Sequence, residues 1–178
     1  MWRTRVGYAG GTTPTPTYRR IGDHTESFEV DFDPTVVGYE DLLQLFWSAH
    51  DPTSGSYSTQ YASRILAHDE HQLAIARASR DRLEAVLRRP VLTRIELLDR
   101  FYPAEDYHQK YRLRNTAQLM REFRAMYPAE SDFVASTAAA RVNGYLDGAG
   151  ACDQLALELD RLGLSESSAA YLQSRCAR

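Results

Sequence analysis

The chain has 178 residues, with 21 basic and 24 acidic side chains and a formal net charge of -3. This length suits one domain with a small appendage, and the charge balance gives no electrostatic case for binding nucleic acid or an anionic membrane surface. Cys152 and Cys176 are the only cysteines; two near one end are no disulfide scaffold, and with no apolar signal core or bilayer-length run the expectation is a cytoplasmic protein.

Thr4 to Tyr8 reads as a short strand running into Gly10-Gly11. Pro14 and Pro16 hold the next segment extended and fix the approach to Tyr18. Ser27 to Phe32 alternates, with Phe28, Val30 and Phe32 on one face and Glu29 and Asp31 on the other. That pattern predicts a strand with one solvated face, ended by Asp33-Pro34. Tyr39 to Ala49 predicts a helix whose apolar side is Leu42, Leu45, Phe46 and Ala49, stopped by Asp51-Pro52.

After a loop of small residues from Ser54 to Ser58, Ala62 to His68 reads as a strand. Asp69 is placed to cap the helix behind it, which should run to about Arg89 with Leu73, Ala76, Leu83 and Leu87 inward. Val91 to Leu98 reads as a further strand. Strands interleaved with helices argue a two-layer mixed-sheet domain of α/β (α+β) class. Beyond Thr116 the chain reads as helices over 116–126, 132–146, 152–162 and 165–174. Large apolar residues are sparse there, so this part is expected to lean on the sheet domain for its core.

Several ordered motifs then point one way. They are Val6-Gly7-Tyr8-Ala9-Gly10-Gly11, Pro16-Thr17-Tyr18, Glu26 ahead of a strand ending in Asp33-Pro34, and Phe46-Trp47. His50-Asp51-Pro52-Thr53, Thr59-Gln60-Tyr61 and the Phe101-to-Tyr111 stretch complete the set. Together they resemble the A-type peptide methionine sulfoxide reductases over residues 5 to 111. The resemblance implies an incomplete reductase domain over 1–114 and a helical extension packed on it over 115–178. It also implies reduction of methionine-S-sulfoxide, in proteins or free. In that family a cysteine thiolate attacks the sulfoxide sulfur while an acid protonates the departing oxygen. The implied acid is Glu26, and Tyr18 and Tyr61 are the implied hydrogen-bond donors to the oxygen. No bound cofactor is implied; the expected partner is thioredoxin or another thiol reductant.

Three departures accompany the resemblance. The family's Gly-Cys-Phe-Trp segment lies upstream of the part matching Val6, so no nucleophile is assigned in this chain. One expectation is a protein that starts further upstream, with a selenocysteine codon read as a stop. The other is a divergent protein that rebuilt its core with the C-terminal helices. Second, the family's acidic residue five positions before the closing tyrosine aligns with Ser56. Third, the glycine-rich tail with resolving cysteines is replaced by helices.

Blander readings stand beside these. Glu26 alone would be a solvated carboxylate, and Tyr18 and Tyr61 would be packing residues. His50 and Asp51 read as support for a turn at a helix end. Ser56 is a nucleophile only if a histidine and a carboxylate converge on it. His68 and His71 lie on a solvated helix start, and no metal site is assigned. Cys152 reads as an incidental thiol. The functional reading is a peptide-methionine (S)-S-oxide reductase family protein, against the alternative of a non-catalytic sulfoxide-binding or structural module.

Overall fold

The computed structural model describes residues 2–176. They cluster into two compact units. The first is formed by Val6–Phe28 with Phe32–Ala104; the second takes the start of the chain through Arg5, Glu29–Asp31 and everything from Glu105 onward.

The first unit is the α+β one. Strands β1 (Arg3–Ala9), β2 (Thr25–Asp31) and β5 (Phe101–Pro103) form one sheet in the order β2-β1-β5. β5 runs antiparallel to β1 with Gly7 opposite Pro103 and Ala9 opposite Phe101. A side chain at Gly7 would collide with the Tyr102 carbonyl and the Phe101 ring, so glycine is what lets β5 lie close. Three residues ending in proline carry too little alternation to read as a strand from sequence, and β5 was not expected.

Strands β3 (Arg64–Ala67) and β4 (Arg94–Leu97) pair in parallel, Ile65 opposite Ile95. Parallel strands need a crossover, here α2 (Glu70–Leu87). Asp69 caps it, accepting from Gln72 N at 2.7 Å. The helix stops two residues short of the expected Arg89, because Arg88 adopts a left-handed conformation and Glu84 Oε1 accepts from Val91 N at 2.7 Å. Leu87, expected inward, is exposed in the last turn.

Helix α1 (Tyr39–Ser48) packs beside α2. Leu43, Ile65 and Ala76 form the buried centre, with Tyr39, Phe46, Trp47, Ile75 and Ile95 against them. The inward face of α1 is thus turned from the expected one. Leu45 is 66% exposed and Ala49 is exposed, whereas Leu43 and Trp47 face the core. The Trp47 indole decides this rotation by donating to Ser79 Oγ on α2 at 2.6 Å. A helical wheel counts apolar positions but not an inter-helix hydrogen bond.

The second unit holds the helices. α3 (Tyr111–Arg114), α4 (Ala117–Met126), α5 (Glu130–Ala135), α6 (Thr137–Leu146), α7 (Cys152–Glu158) and α8 (Glu166–Cys176) follow in order. Leu113, Leu119, Phe123, Phe133, Val142, Leu155 and Leu172 are among its fully buried residues. The helical region therefore holds a buried apolar cluster of its own. Each short helix contributes one to four buried residues, a density that sequence spacing understates. The expected helix 132–146 is two helices. Ser136 is extended and its Oγ accepts from Ala139 N at 3.1 Å, so a serine cap restarts the helix there.

Cys152 and Cys176 are bonded to each other, with Cα atoms 5.5 Å apart, tying the start of α7 to the end of α8. This corrects the reading of incidental thiols: 24 residues of separation hide a contact that the α7–α8 hairpin creates. In the same unit Arg5 bonds Glu29 (Nε to Oε2, 2.8 Å) and lies 3.3 Å from Asp31, which also pairs with Arg3. The supposed solvated face of β2 is thus a half-buried ion-pair ladder, and on the other unit's portion of the strand Phe28 is 67% exposed.

Candidate active site

Two loops and the start of β2, all in the first unit, bring the expected residues together. Asp23 holds the segment after Gly11: it accepts from Thr12 N (2.8 Å), Thr12 Oγ1 (2.9 Å), Thr13 N (2.9 Å) and Thr13 Oγ1 (2.7 Å). Those four donors, led by the Thr13 hydroxyl, hold its carboxyl far below the usual carboxylate range. His24, buried, completes the anchor: Gly11 N donates to its Nδ1 at 3.2 Å and its Nε2 lies 2.8 Å from Thr13 O. That pairing assigns the proton to Nε2. Gly10, at φ 75°, makes the turn that lets this segment fold back, and its carbonyl accepts from Arg64. Pro16 is buried, and Thr17 pairs with Arg20, so Tyr18 stands at the tip of a pinned loop.

The second loop is zipped to the start of β2. Thr25 Oγ1 donates to Thr59 O at 2.8 Å and Glu26 N donates to Gln60 O at 2.9 Å. Gln60 Nε2 donates to Glu26 Oε1 at 2.6 Å. These bonds set Tyr61 beside Glu26. The Glu26 carboxylate holds the Tyr61 phenol above its ordinary value, with lost hydration and then Tyr18 and Tyr57 adding to the effect. Glu26, Tyr18 and Tyr61 thus form one electrostatic cluster. All three are exposed, Tyr18 at 44% and Tyr61 at 49%, so the cluster lies open to water.

His50 and Asp51 stand at the end of α1. His50 Nδ1 lies 2.9 Å from Phe46 O, with its ring edge-on to Phe46 and stacked on Trp47. Asp51 accepts from Thr53 N (2.9 Å), Thr53 Oγ1 (2.8 Å) and Ser54 Oγ (2.7 Å), led by Ser54, which draws its carboxyl down to about 2. Both shape the turn into Pro52. Ser56 Oγ donates to Ser58 O at 2.7 Å, so its proton is committed to the backbone rather than to a base. Among the described residues no group of three or more His, Cys, Asp or Glu side chains is arranged to hold a metal ion. No described helix is long and apolar enough to cross a membrane.

In the sequence Gln60 stands out only as a neighbour of Tyr61, and Tyr57 belongs to no motif. The available signal for Tyr57 was a bulky aromatic alone in a run of serine and glycine.

The family model described as peptide methionine sulfoxide reductase matches residues 1–140. This chain belongs to that family. A peptide methionine sulfoxide reductase of Drosophila melanogaster is 43% identical over 173 residues, 95% of this chain and 68% of that protein. One from Azotobacter vinelandii is 46% identical over 128 residues, 65% of this chain and 59% of its own length. The chain therefore spans about three-fifths to two-thirds of the relatives it matches. The structure of reduced Mxr1 from Saccharomyces cerevisiae superposes with a TM-score of 0.59 at 29% identity, covering 63% of this chain and 70% of that one. Methionine sulfoxide reductase A of Corynebacterium diphtheriae gives 0.54 at 36% identity, with 63% of each chain covered. Similarity to the reductase family continues past Tyr111, where the expected resemblance ended: the family model reaches Ala140, within α6, and the fly match takes in most of the helical unit.

Proposed function

We propose that this chain carries the oxygen-handling side of a peptide-methionine (S)-S-oxide reductase site acting on methionine sulfoxide in proteins. The observation that carries the reading is the Gln60 Nε2 bond to Glu26 Oε1, which sets the carboxyl group beside Tyr61. Tyr18 and Tyr61 donate hydrogen bonds to the sulfoxide oxygen, and Glu26 delivers its proton as the S–O bond breaks. A thiolate attacks the sulfur, and a second thiol resolves the product. The sum is one sulfoxide and two thiols giving one sulfide, one disulfide and water. Protonating the leaving oxygen calls for a carboxylic acid shielded from water, and Glu26 is exposed. The bound substrate therefore supplies the shield.

The attacking thiolate comes from outside these 178 residues, whose two sulfhydryl-bearing positions are joined to each other. The final reductant is a thioredoxin-like dithiol. The test is an epimer-resolved assay with a small dithiol supplied as nucleophile. The S epimer of a methionine sulfoxide peptide is expected to be consumed faster than the R epimer. The preference should vanish in Glu26→Gln and persist when Cys152 and Cys176 are both replaced by serine. Equal rates for the two epimers, or S-selective turnover that depends on Cys152 or Cys176, would overturn the proposal.

A further inference from the structure

Tyr18 does not stand alone on its loop. Residues 17–20 form a tight turn closed from both ends: Arg20 N donates to Thr17 O at 2.9 Å, and Thr17 N donates to Arg20 O at 3.3 Å. Buried Pro16 leads into the turn, and Asp23 ties its far side to Thr12 and Thr13. Gly22, at φ 64°, brings the chain back against Thr13, where a side chain would collide with the Thr13 hydroxyl. The turn therefore presents two further side chains, Arg19 and Arg20, from a backbone that is ordered before any ligand arrives.

Both arginines are exposed, and among the described residues neither side chain has a carboxylate partner. Asp23, the acidic residue nearest in sequence, has both oxygens committed to the Thr12 and Thr13 donors. Arg77 on α2 is likewise exposed and without such a partner, so that property alone selects nothing. Position does the selecting. Arg19 follows Tyr18 directly, and the Tyr18 phenol is close enough to Tyr61 to act on its ionisation. An extended peptide advances about 3.3 Å per residue, so a side chain one to three positions from a bound sulfoxide lies within about 10 Å of it. Guanidinium groups beside Tyr18 fall within that span, where they attract carboxylates and repel ammonium groups.

We infer that Arg19 and Arg20 are specificity-determining residues, favouring methionine sulfoxide that has aspartate or glutamate among its near neighbours in the substrate protein. The inference rests on the reading of Glu26, Tyr18 and Tyr61 as the oxygen site and adds which sequence around the oxidised residue that site prefers. The arginines meet the flanking carboxylate, not the sulfoxide, so they act on encounter and affinity rather than on S–O cleavage. Charge pairs at an exposed rim are individually weak and are screened by salt, which sets the size of the effect.

The test uses the full chain and short peptides with one methionine-S-sulfoxide flanked on both sides by glutamate, alanine or lysine, with affinity read by calorimetry. At low salt the glutamate peptide is expected to bind about five- to tenfold more tightly than the lysine peptide, and the gap should close as salt is raised. Replacing both arginines with glutamine should shrink the gap to within about twofold, and Arg19→Glu with Arg20→Glu should reverse the order. The R-sulfoxide and unoxidised forms of the alanine peptide report on the oxygen site separately. If the S form is preferred but glutamate and lysine flanks bind alike, the arginine assignment is wrong and the oxygen site stands. If no peptide binds, or the S form has no advantage, the oxygen site fails and the inference with it. A glutamate preference that survives the double glutamine variant, or that is equally large for unoxidised peptides, would also overturn the assignment.

Discussion

Breaking the Cys152–Cys176 bond is the sharpest test of the helical unit. The bond closes a loop spanning 24 positions between the first residue of α7 and the last of α8. In the chain-entropy treatment a loop of this length removes about 12 cal/mol/K from the unfolded ensemble, or about 3.5 kcal/mol at room temperature. Leu155 and Leu172 are buried in the helical core away from the sulfurs, so the packing of α7 and α8 is expected to survive loss of the bond. The whole effect then falls on the unfolded state. Replacing both cysteines by serine should lower the unfolding free energy by about 3 kcal/mol and the melting temperature by roughly 10 °C. Urea titration of the oxidised chain and the double variant, with unchanged slope, is the assay. A loss below about 1 kcal/mol would mean that the bond does not restrict the unfolded chain in this way. So would two titratable thiols in the denatured, never-reduced protein.

Other expectations follow from individual residues. Removing the charge at Glu26 with Gln should bring the Tyr61 phenol back down toward its ordinary value, because Glu26 is the largest cause of its rise; ring-carbon titration by NMR reads this, and an unchanged Tyr61 would separate the two groups. Lys110, buried beside Arg5 and bonded to Thr4 Oγ1 at 3.0 Å, is drawn down to about 8 by burial first and then by Arg5. Its folded value lies below its unfolded one, so the unfolded chain binds more protons between about pH 8 and 10.5 and stability should rise with pH across that window. In denaturant titrations Lys110→Met should flatten the rise, and an equal rise in both proteins would contradict the assignment. Phe123, fully buried against Phe133 and Tyr127, should cost about 3–5 kcal/mol on truncation to Ala by thermal or chemical unfolding, and a loss under 1 kcal/mol would mean the core is elsewhere.

The first four strands, the α1–α2 pair and the α+β class were legible because period and punctuation agree there. Asp69 caps α2 as its position ahead of the apolar repeat implied, and the run Tyr39–Ser48 is helical to within one residue of its expected end. What escaped was set by contacts between distant residues. The rotation of α1 depends on Trp47 meeting Ser79, 32 positions away. The β2 ion-pair ladder depends on Arg3 and Arg5 arriving from β1. Ser136 split an alanine-rich run that propensity alone would keep whole. At the candidate site the motifs named Glu26, Tyr18 and Tyr61, and the structure brings them into one cluster. Gln60 was harder to see because its bond to Glu26 depends on a loop fold held by Thr25.

The proposed role of Glu26, Tyr18 and Tyr61 is to bind the oxygen of a methionine sulfoxide. Its most direct test is calorimetric binding of paired peptides differing only in the S or R configuration of one methionine sulfoxide. The S peptide should bind more tightly, and that preference should be lost in both Glu26→Gln and Tyr61→Phe. Equal affinity for the two epimers, or a preference that survives both substitutions, would contradict it.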